Sequence, residues 1–230
     1  MLKYDRGGAE QLIPPRTEDK EMIGFYNYTV ILTYMGAVAG AAGLAFAAGG
    51  KTFPALLCLL FAGICDMFDG AVARTKKRTE AEKKFGIWID SLTDMVCFAV
   101  LPTMIGWSYG MKEWYYIPIF AAFILGAIIR LGYYGVTEEE RQTVETGKRA
   151  AYDGMPVTTS AAIFPVVWVI LTCLGLKAEI CTYVYAAVLA LSAFAFVGKF
   201  KIKKPGKTGI TVIAVLGAVL AAAMVLIKVL

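Results

Sequence analysis

The sequence predicts an all-α, polytopic transmembrane bundle of six core helices, with a seventh near its C-terminal end. Three observations predict it. Of 230 residues, 58% are hydrophobic and only 18% charged, a balance that soluble domains of this size do not carry. The apolar residues collect in runs of about 20, the length that crosses a hydrocarbon core of about 30 Å. The lysines and arginines fall into alternate connecting segments, as they do in multi-span proteins. There is no internal repeat, so the expected division is a polar N-terminal segment (1–22), one transmembrane domain (23–200), and a basic loop with an additional helix (201–230).

Taken in order, residues 1–22 are polar, and no short apolar core follows the start, so a cleaved signal peptide is not expected. Thr17–Met22 could open an interfacial helix. The first span is expected over Ile23–Ala48, where Gly36, Gly40 and Gly43 suit close helix packing. Asn27-Tyr28-Thr29 matches a glycosylation acceptor as text, but it falls within an apolar run; Asn27 fits a helix cap or an interhelical hydrogen bond. The second span is expected over Phe53–Ala73, followed by a charged loop over Thr75–Phe85. The third is expected over Gly86–Trp107 and the fourth over Trp114–Tyr134. In the polar segment that follows, Thr137 to Glu140 has capping-box spacing and predicts the start of a short helix. The fifth, sixth and seventh spans are expected over Pro156–Leu176, Ile180–Phe200 and Thr208–Val229.

A cytoplasmic N-terminus puts the N-terminal tail, the 75–85 loop, the 135–155 loop and the 199–207 loop on one side. With Arg74 these hold 18 of the 23 basic residues. The start of span one, the end of span two and the start of span three then share one membrane level. The five cysteines lie in or beside apolar runs without metal-ligand spacing and read as small buried hydrophobes. The chain has no histidine, which excludes any histidine nucleophile, base or ligand. The basic 199–207 run suits contact with anionic lipid headgroups. Nothing in the sequence points to nucleic acid.

The stretch Cys65–Asp94, CDMFDGAVARTKKRTEAEKKFGIWIDSLTD, carries the chemistry. Asp66, Asp69, Gly70 and Ala73 share one helical stripe; Gly86, Asp90 and Asp94, spaced i, i+4, i+8, form another. A carboxylate at membrane depth costs roughly 2.5–3.5 kcal/mol, so four together need a cation among them. An all-oxygen ligand set favours magnesium, manganese or calcium over zinc. The small residues leave room for a ligand against the backbone, and Arg74 adds a phosphate-binding cation.

Asp66-x-x-Asp69-Gly70-x-x-Ala73-Arg74 followed by Gly86-x-x-x-Asp90-x-x-x-Asp94 resembles the signature of the CDP-alcohol phosphotransferases, integral membrane enzymes that transfer a substituted phosphate from a CDP-linked donor to an alcohol and release CMP. The loop between Arg74 and Gly86 is longer than the family pattern usually has. The resemblance implies Mg2+ or Mn2+, one or two ions, held by Asp66, Asp69, Asp90 and Asp94, with Asp94 as the base. It implies donor contacts from Asn27, Asp66, Gly70, Ala73, Arg74 and Gly86, and a homodimer in the cytoplasmic membrane.

The run Asp90-Ser91-Leu92-Thr93-Asp94, then Phe98 and Pro102, with Arg130-Leu131 and Asp153-Gly154-Met155-Pro156, resembles the membrane-embedded phosphatidylserine synthase branch of that family. Where that branch has a second arginine shortly after the first, Gly132-Tyr133 stands here. The branch implies CDP-diacylglycerol and L-serine as substrates. Arg130 could clamp the serine carboxylate or snorkel to the interface, and Arg149 or Lys148 could contribute. Glycerol 3-phosphate, inositol phosphate or an archaeal-type lipid donor remain alternatives. An ion-coupled transporter is the reading from a different class, since intramembrane carboxylates also mark ion pathways. It lacks the repeated halves such proteins usually show.

Overall fold

In a computed structural model the described residues are 24–73, 75–144, 151–199, 201–203 and 207–229. They form an all-α bundle, as predicted. A 3₁₀ turn, Tyr28–Val30, leads into α1 (Ile31–Ala48), and α2 (Thr52–Ala73) returns antiparallel to it. The third span is one continuous helix in three pieces: α3 (Glu80–Asp94), a π-helical segment (Met95–Val100) and α4 (Leu101–Ser108). Then follow α5 (Ile117–Val144), α6 (Ser160–Cys173), α7 (Ala178–Val197) and α8 (Lys207–Val229). Among the described residues, six helices are long and apolar enough to cross a membrane. The expected fifth span is the shorter apolar helix Val157–Cys173, only about 25 Å long at 1.5 Å per residue. Pro156 opens it, and Gly175, at φ +58°, turns the chain just beyond it. The expected interfacial helix at Thr17–Met22 lies outside the described residues.

The helices are held by tight packing. A Cβ on Gly40 would lie 2.6 Å from Cys97 Sγ, so this glycine is what lets α1 lie against the third span. At the centre, the rings of Phe123, Phe164, Phe196 and Tyr185 are fully or almost fully buried, with centroid separations of 5.0–5.8 Å between neighbours. The π segment has a local cause. Pro102 has no N–H for the Phe98 carbonyl, and the Leu101 N–H reaches back five residues to Val96 O instead. Buried Tyr185 donates to Pro102 O at 3.0 Å, and Thr103 Oγ1 to Val100 O at 2.7 Å.

Three departures from expectation concern the ends of elements. α3 starts at Glu80, six residues before Gly86, because Thr79 forms a capping box with Glu82: the Glu82 N–H donates to Thr79 Oγ1 at 3.2 Å and the Thr79 N–H to Glu82 Oε2 at 2.9 Å. Conversely, no helix starts at Thr137. α5 runs through it, and its hydroxyl donates back to the Tyr133 and Tyr134 carbonyls at 3.0 and 3.1 Å. The third departure is a short antiparallel pair, β1 (Ala151–Asp153) with β2 (Lys201–Lys203), in register Ala151–Lys203. It joins two of the loops that the charge pattern assigns to one side.

Candidate active site

Three elements meet at one end of the bundle. The last turns of α2 carry Asp66 and Asp69, α3 carries Asp90 and Asp94, and the start of α1 closes over both. Helical periodicity puts each aspartate pair on one face. Antiparallel packing of α1 on α2, with α3 alongside, turns those faces toward each other. Carboxylate oxygens of Asp66, Asp90 and Asp94 all lie within 4.8 Å of one another. Asp66 and Asp94 are within hydrogen-bonding reach, and so are Asp69 and Asp90. Asp69 and Asp94 are buried; Asp66 and Asp90 are half-buried. They line a cavity of about 10 Å³, roughly the space of one water or ion, together with Thr33, Gly36, Cys65 and Thr93.

Sequence reasoning missed Thr33. Its hydroxyl donates to Asp69 Oδ2 at 3.2 Å across the α1–α2 interface, fixing that carboxylate from behind. A threonine in an apolar helix gives no signal of this by itself; only the helix pairing does.

Asp66, Asp90 and Asp94 have no ion pair with lysine or arginine among the described residues. Carboxylates this close need protons or a bound cation between them. The donor set is all hard oxygen and the cavity is ion-sized, so the residues present fit a divalent cation of the magnesium, manganese or calcium type.

The rim is polar. Asn27 caps the 3₁₀ turn, its Oδ1 accepting from the Thr29 N–H at 3.0 Å and from the Thr29 hydroxyl. Its Nδ2 donates to Glu82 Oε1 at 3.1 Å. The structure thus realises both the cap and the interhelical bond expected for Asn27. Glu82 extends the Gly86–Asp90–Asp94 stripe by one more i+4 step, a spacing visible in the sequence but hidden by reading 75–85 as loop. Gly86 has a close neighbour: a Cβ there would lie 3.0 Å from Arg78 Nη1. Gly70 and Ala73 are half-buried on the last turns of α2. Arg74, Lys148 and Arg149 lie outside the described residues.

Arg130 does not snorkel. It is 7% exposed, and its Nε and Nη2 donate to the carbonyls of Met155 (3.2 Å) and Gly154 (3.5 Å). Gly154 sits at φ +81°, where a Cβ would be 2.7 Å from Gly198 O, and the Met155 N–H donates to Ala195 O. Arg130 therefore fixes the segment between β1 and α6 against the end of α7.

The family model for CDP-alcohol phosphatidyltransferases matches residues 26–197. The chain belongs to that family. Among curated relatives, the chain is 33% identical over 103 residues to a CDP-diacylglycerol–serine O-phosphatidyltransferase of Saccharomyces cerevisiae, covering 44% of this chain and 36% of that protein. It is 29% identical over 143 residues to an archaetidylserine synthase of Methanothermobacter thermautotrophicus, covering 62% and 58%. It is 30% identical over 105 residues to a CDP-diacylglycerol–serine O-phosphatidyltransferase of Helicobacter pylori, covering 44% and 39%. The chain thus spans about a third to three fifths of the length of these relatives. The family match contains the α1 start, both aspartate pairs and Arg130, and ends at the last residue of α7, before α8.

Proposed function

We propose that this chain is a phosphatidyltransferase that makes phosphatidylserine from CDP-diacylglycerol and L-serine and releases CMP. One observation carries the chemistry: the four aspartates of the motif converge on a single ion-sized cavity at one end of the bundle. Family membership supplies the reaction class, and relatives named for serine transfer support the acceptor.

In this reading Asp66, Asp69, Asp90 and Asp94 hold a divalent cation, Mg2+ or Mn2+, which neutralises charge on the donor diphosphate when bound. Asp94 takes the proton of the serine hydroxyl. The serine oxygen bonds to the phosphorus that carries the diacylglycerol, the bond from that phosphorus to the CMP oxygen breaks, and CMP leaves. Thr33 keeps Asp69 oriented. Asn27, Gly70, Ala73, Arg74 and Gly86 border the donor. Arg130, with Arg149, serves the acceptor end: Arg130 builds the 154–155 segment, and its buried charge favours a carboxylate nearby. The excess of lysine and arginine in the loops at this end supports a cytoplasmic-side site in the cell membrane.

A second reading changes only the donor lipid. The archaetidylserine synthase aligns with more of this chain than the Saccharomyces or Helicobacter relatives do, which favours an archaeal ether lipid in place of diacylglycerol. Mass spectrometry of the lipid product tests both. Purified protein is given CDP-diacylglycerol or CDP-archaeol, each with serine, glycerol 3-phosphate or inositol phosphate. A serine lipid from either donor supports serine transfer and identifies the donor. A product only with a phosphorylated acceptor refutes it.

A further inference from the structure

We propose that Arg78 binds the diphosphate of the nucleotide donor, held at the cavity mouth by a clasp that Glu82 makes; this rests on the reading that the donor is CDP-linked. Among the described residues, the loop between α2 and α3 and the start of α3 carry five cations, and they are not equivalent. Lys76 is engaged by Glu82 at 3.1 Å and Lys83 by Glu80 at 2.7 Å. Lys77 and Lys84 are exposed. Arg78 is half-buried and has no ion pair or hydrogen bond among the described residues. Its Nη1 lies over Gly86, where a Cβ would come within 3.0 Å. Gly86 is one helical turn from Asp90, about 6 Å along the axis. The guanidinium therefore covers the outward continuation of the carboxylate stripe.

A partly desolvated guanidinium without a counter-charge is costly unless an anion meets it. Its planar fork matches two phosphate oxygens. A nucleoside diphosphate docked at the mouth of the ion-sized aspartate cavity brings such oxygens beside Arg78. The glycine at position 86 gains a physical reason: any side chain there would push Arg78 off the stripe.

Glu82 is a positioning residue. Its Oε1 accepts from Asn27 Nδ2 at 3.1 Å and from Lys76 Nζ at 3.1 Å, and its Oε2 accepts from the Thr79 N–H at 2.9 Å. One carboxylate thus ties the start of α1, the loop and the start of α3. It pins the chain on both sides of Arg78, at Lys76 and at Thr79. Tyr28 and Thr75 add a second link between the same segments through their hydroxyls, at 3.1 Å.

The test uses the purified full chain with magnesium. Binding of CDP and of cytidine is measured by competition against a labelled CDP-lipid, alongside donor KM and kcat. Arg78→Ala is expected to weaken CDP about tenfold or more, the size of a charge-assisted bond, and to leave cytidine unchanged. Donor KM should rise by a similar factor, with kcat within about threefold. Arg78→Lys should fall between. Glu82→Ala should raise donor KM, and the Glu82→Ala/Arg78→Ala pair should be no worse than Arg78→Ala alone, because both act through one contact. Glu82→Gln, whose single carbonyl oxygen can accept from Asn27 or from the Thr79 N–H but not from both, should recover part of the loss. Unchanged CDP binding in Arg78→Ala, or equal losses for CDP and cytidine, overturns the assignment of Arg78. Additive losses in the pair overturn the clasp. Wild-type protein that binds no cytidine nucleotide removes the donor reading itself, a result distinguishable from either.

Discussion

Replacing Asp94 by asparagine separates what the carboxylate does for catalysis from what it does to the fold. Asparagine has nearly the same shape, so packing around α3 is preserved while one charge and one proton acceptor are lost. Asp94 lies within 4.8 Å of Asp66 and Asp90. At an effective dielectric of 20, two unit charges 4.8 Å apart repel by about 3.5 kcal/mol. While Asp94 is ionised, each ionised neighbour repels it by about that much or more, and the metal-free variant is relieved of this repulsion. Two results follow. Turnover should drop at least about a hundredfold, the lower range for losing a general base, while donor affinity changes by only a few-fold. Thermal unfolding in chelator should occur at higher temperature than for wild type, and the further stabilisation on adding magnesium should be smaller, since a ligand has been removed. The assay pairs CMP release with fluorescence-detected melting in detergent. A variant that keeps most of its activity refutes Asp94 as the base. A variant that melts earlier than wild type in chelator refutes the picture of an uncompensated carboxylate cluster.

Other predictions concern the supports of the site. Thr33→Val removes the hydroxyl that orients Asp69 and should raise the magnesium concentration needed for half-maximal activity by about tenfold, the lower end for losing a ligand's hydrogen-bond partner, with Thr33→Ser close to wild type. Gly40→Val forces atoms into the space of Cys97 Sγ and should destabilise by roughly 1–3 kcal/mol, read as a lowered melting temperature. Arg130→Met leaves the Gly154 and Met155 carbonyls without this donor. It should cost stability by about 1–3 kcal/mol and raise the acceptor KM more than the donor KM; equal effects on both substrates would sink the acceptor-side assignment.

The aspartate constellation was legible because helical period alone places Asp66 with Asp69 and Asp90 with Asp94, and because apolar flanks leave the acids no solvent to face. The packing glycine Gly40 was legible for the same reason. What the sequence hid depends on context. Thr79–Glu82 and Thr137–Glu140 have identical capping-box spacing, yet only the first caps a helix. A turn precedes Thr79, so its backbone is free to be extended, whereas Thr137 follows an uninterrupted apolar helix and inherits its hydrogen bonding. The missed cap at Thr79 displaced the start of α3 and concealed Glu82 as a member of the carboxylate stripe. Arg130 read as a clamp or a snorkelling cation because its carbonyl partners lie 24–25 residues away and are exposed to it only by the turn at Gly154. The β1–β2 pair joins segments about 50 residues apart that carry no strand pattern, and only the bundle brings them together.

The most direct test of the central claim is CMP release by the purified protein with CDP-diacylglycerol or CDP-archaeol, with and without serine, in magnesium, manganese or chelator. The account predicts release that requires both serine and a divalent cation and vanishes when Asp66, Asp69 or Asp90 is changed to asparagine. Release that persists in chelator, or that folded protein fails to give with either donor, would contradict it.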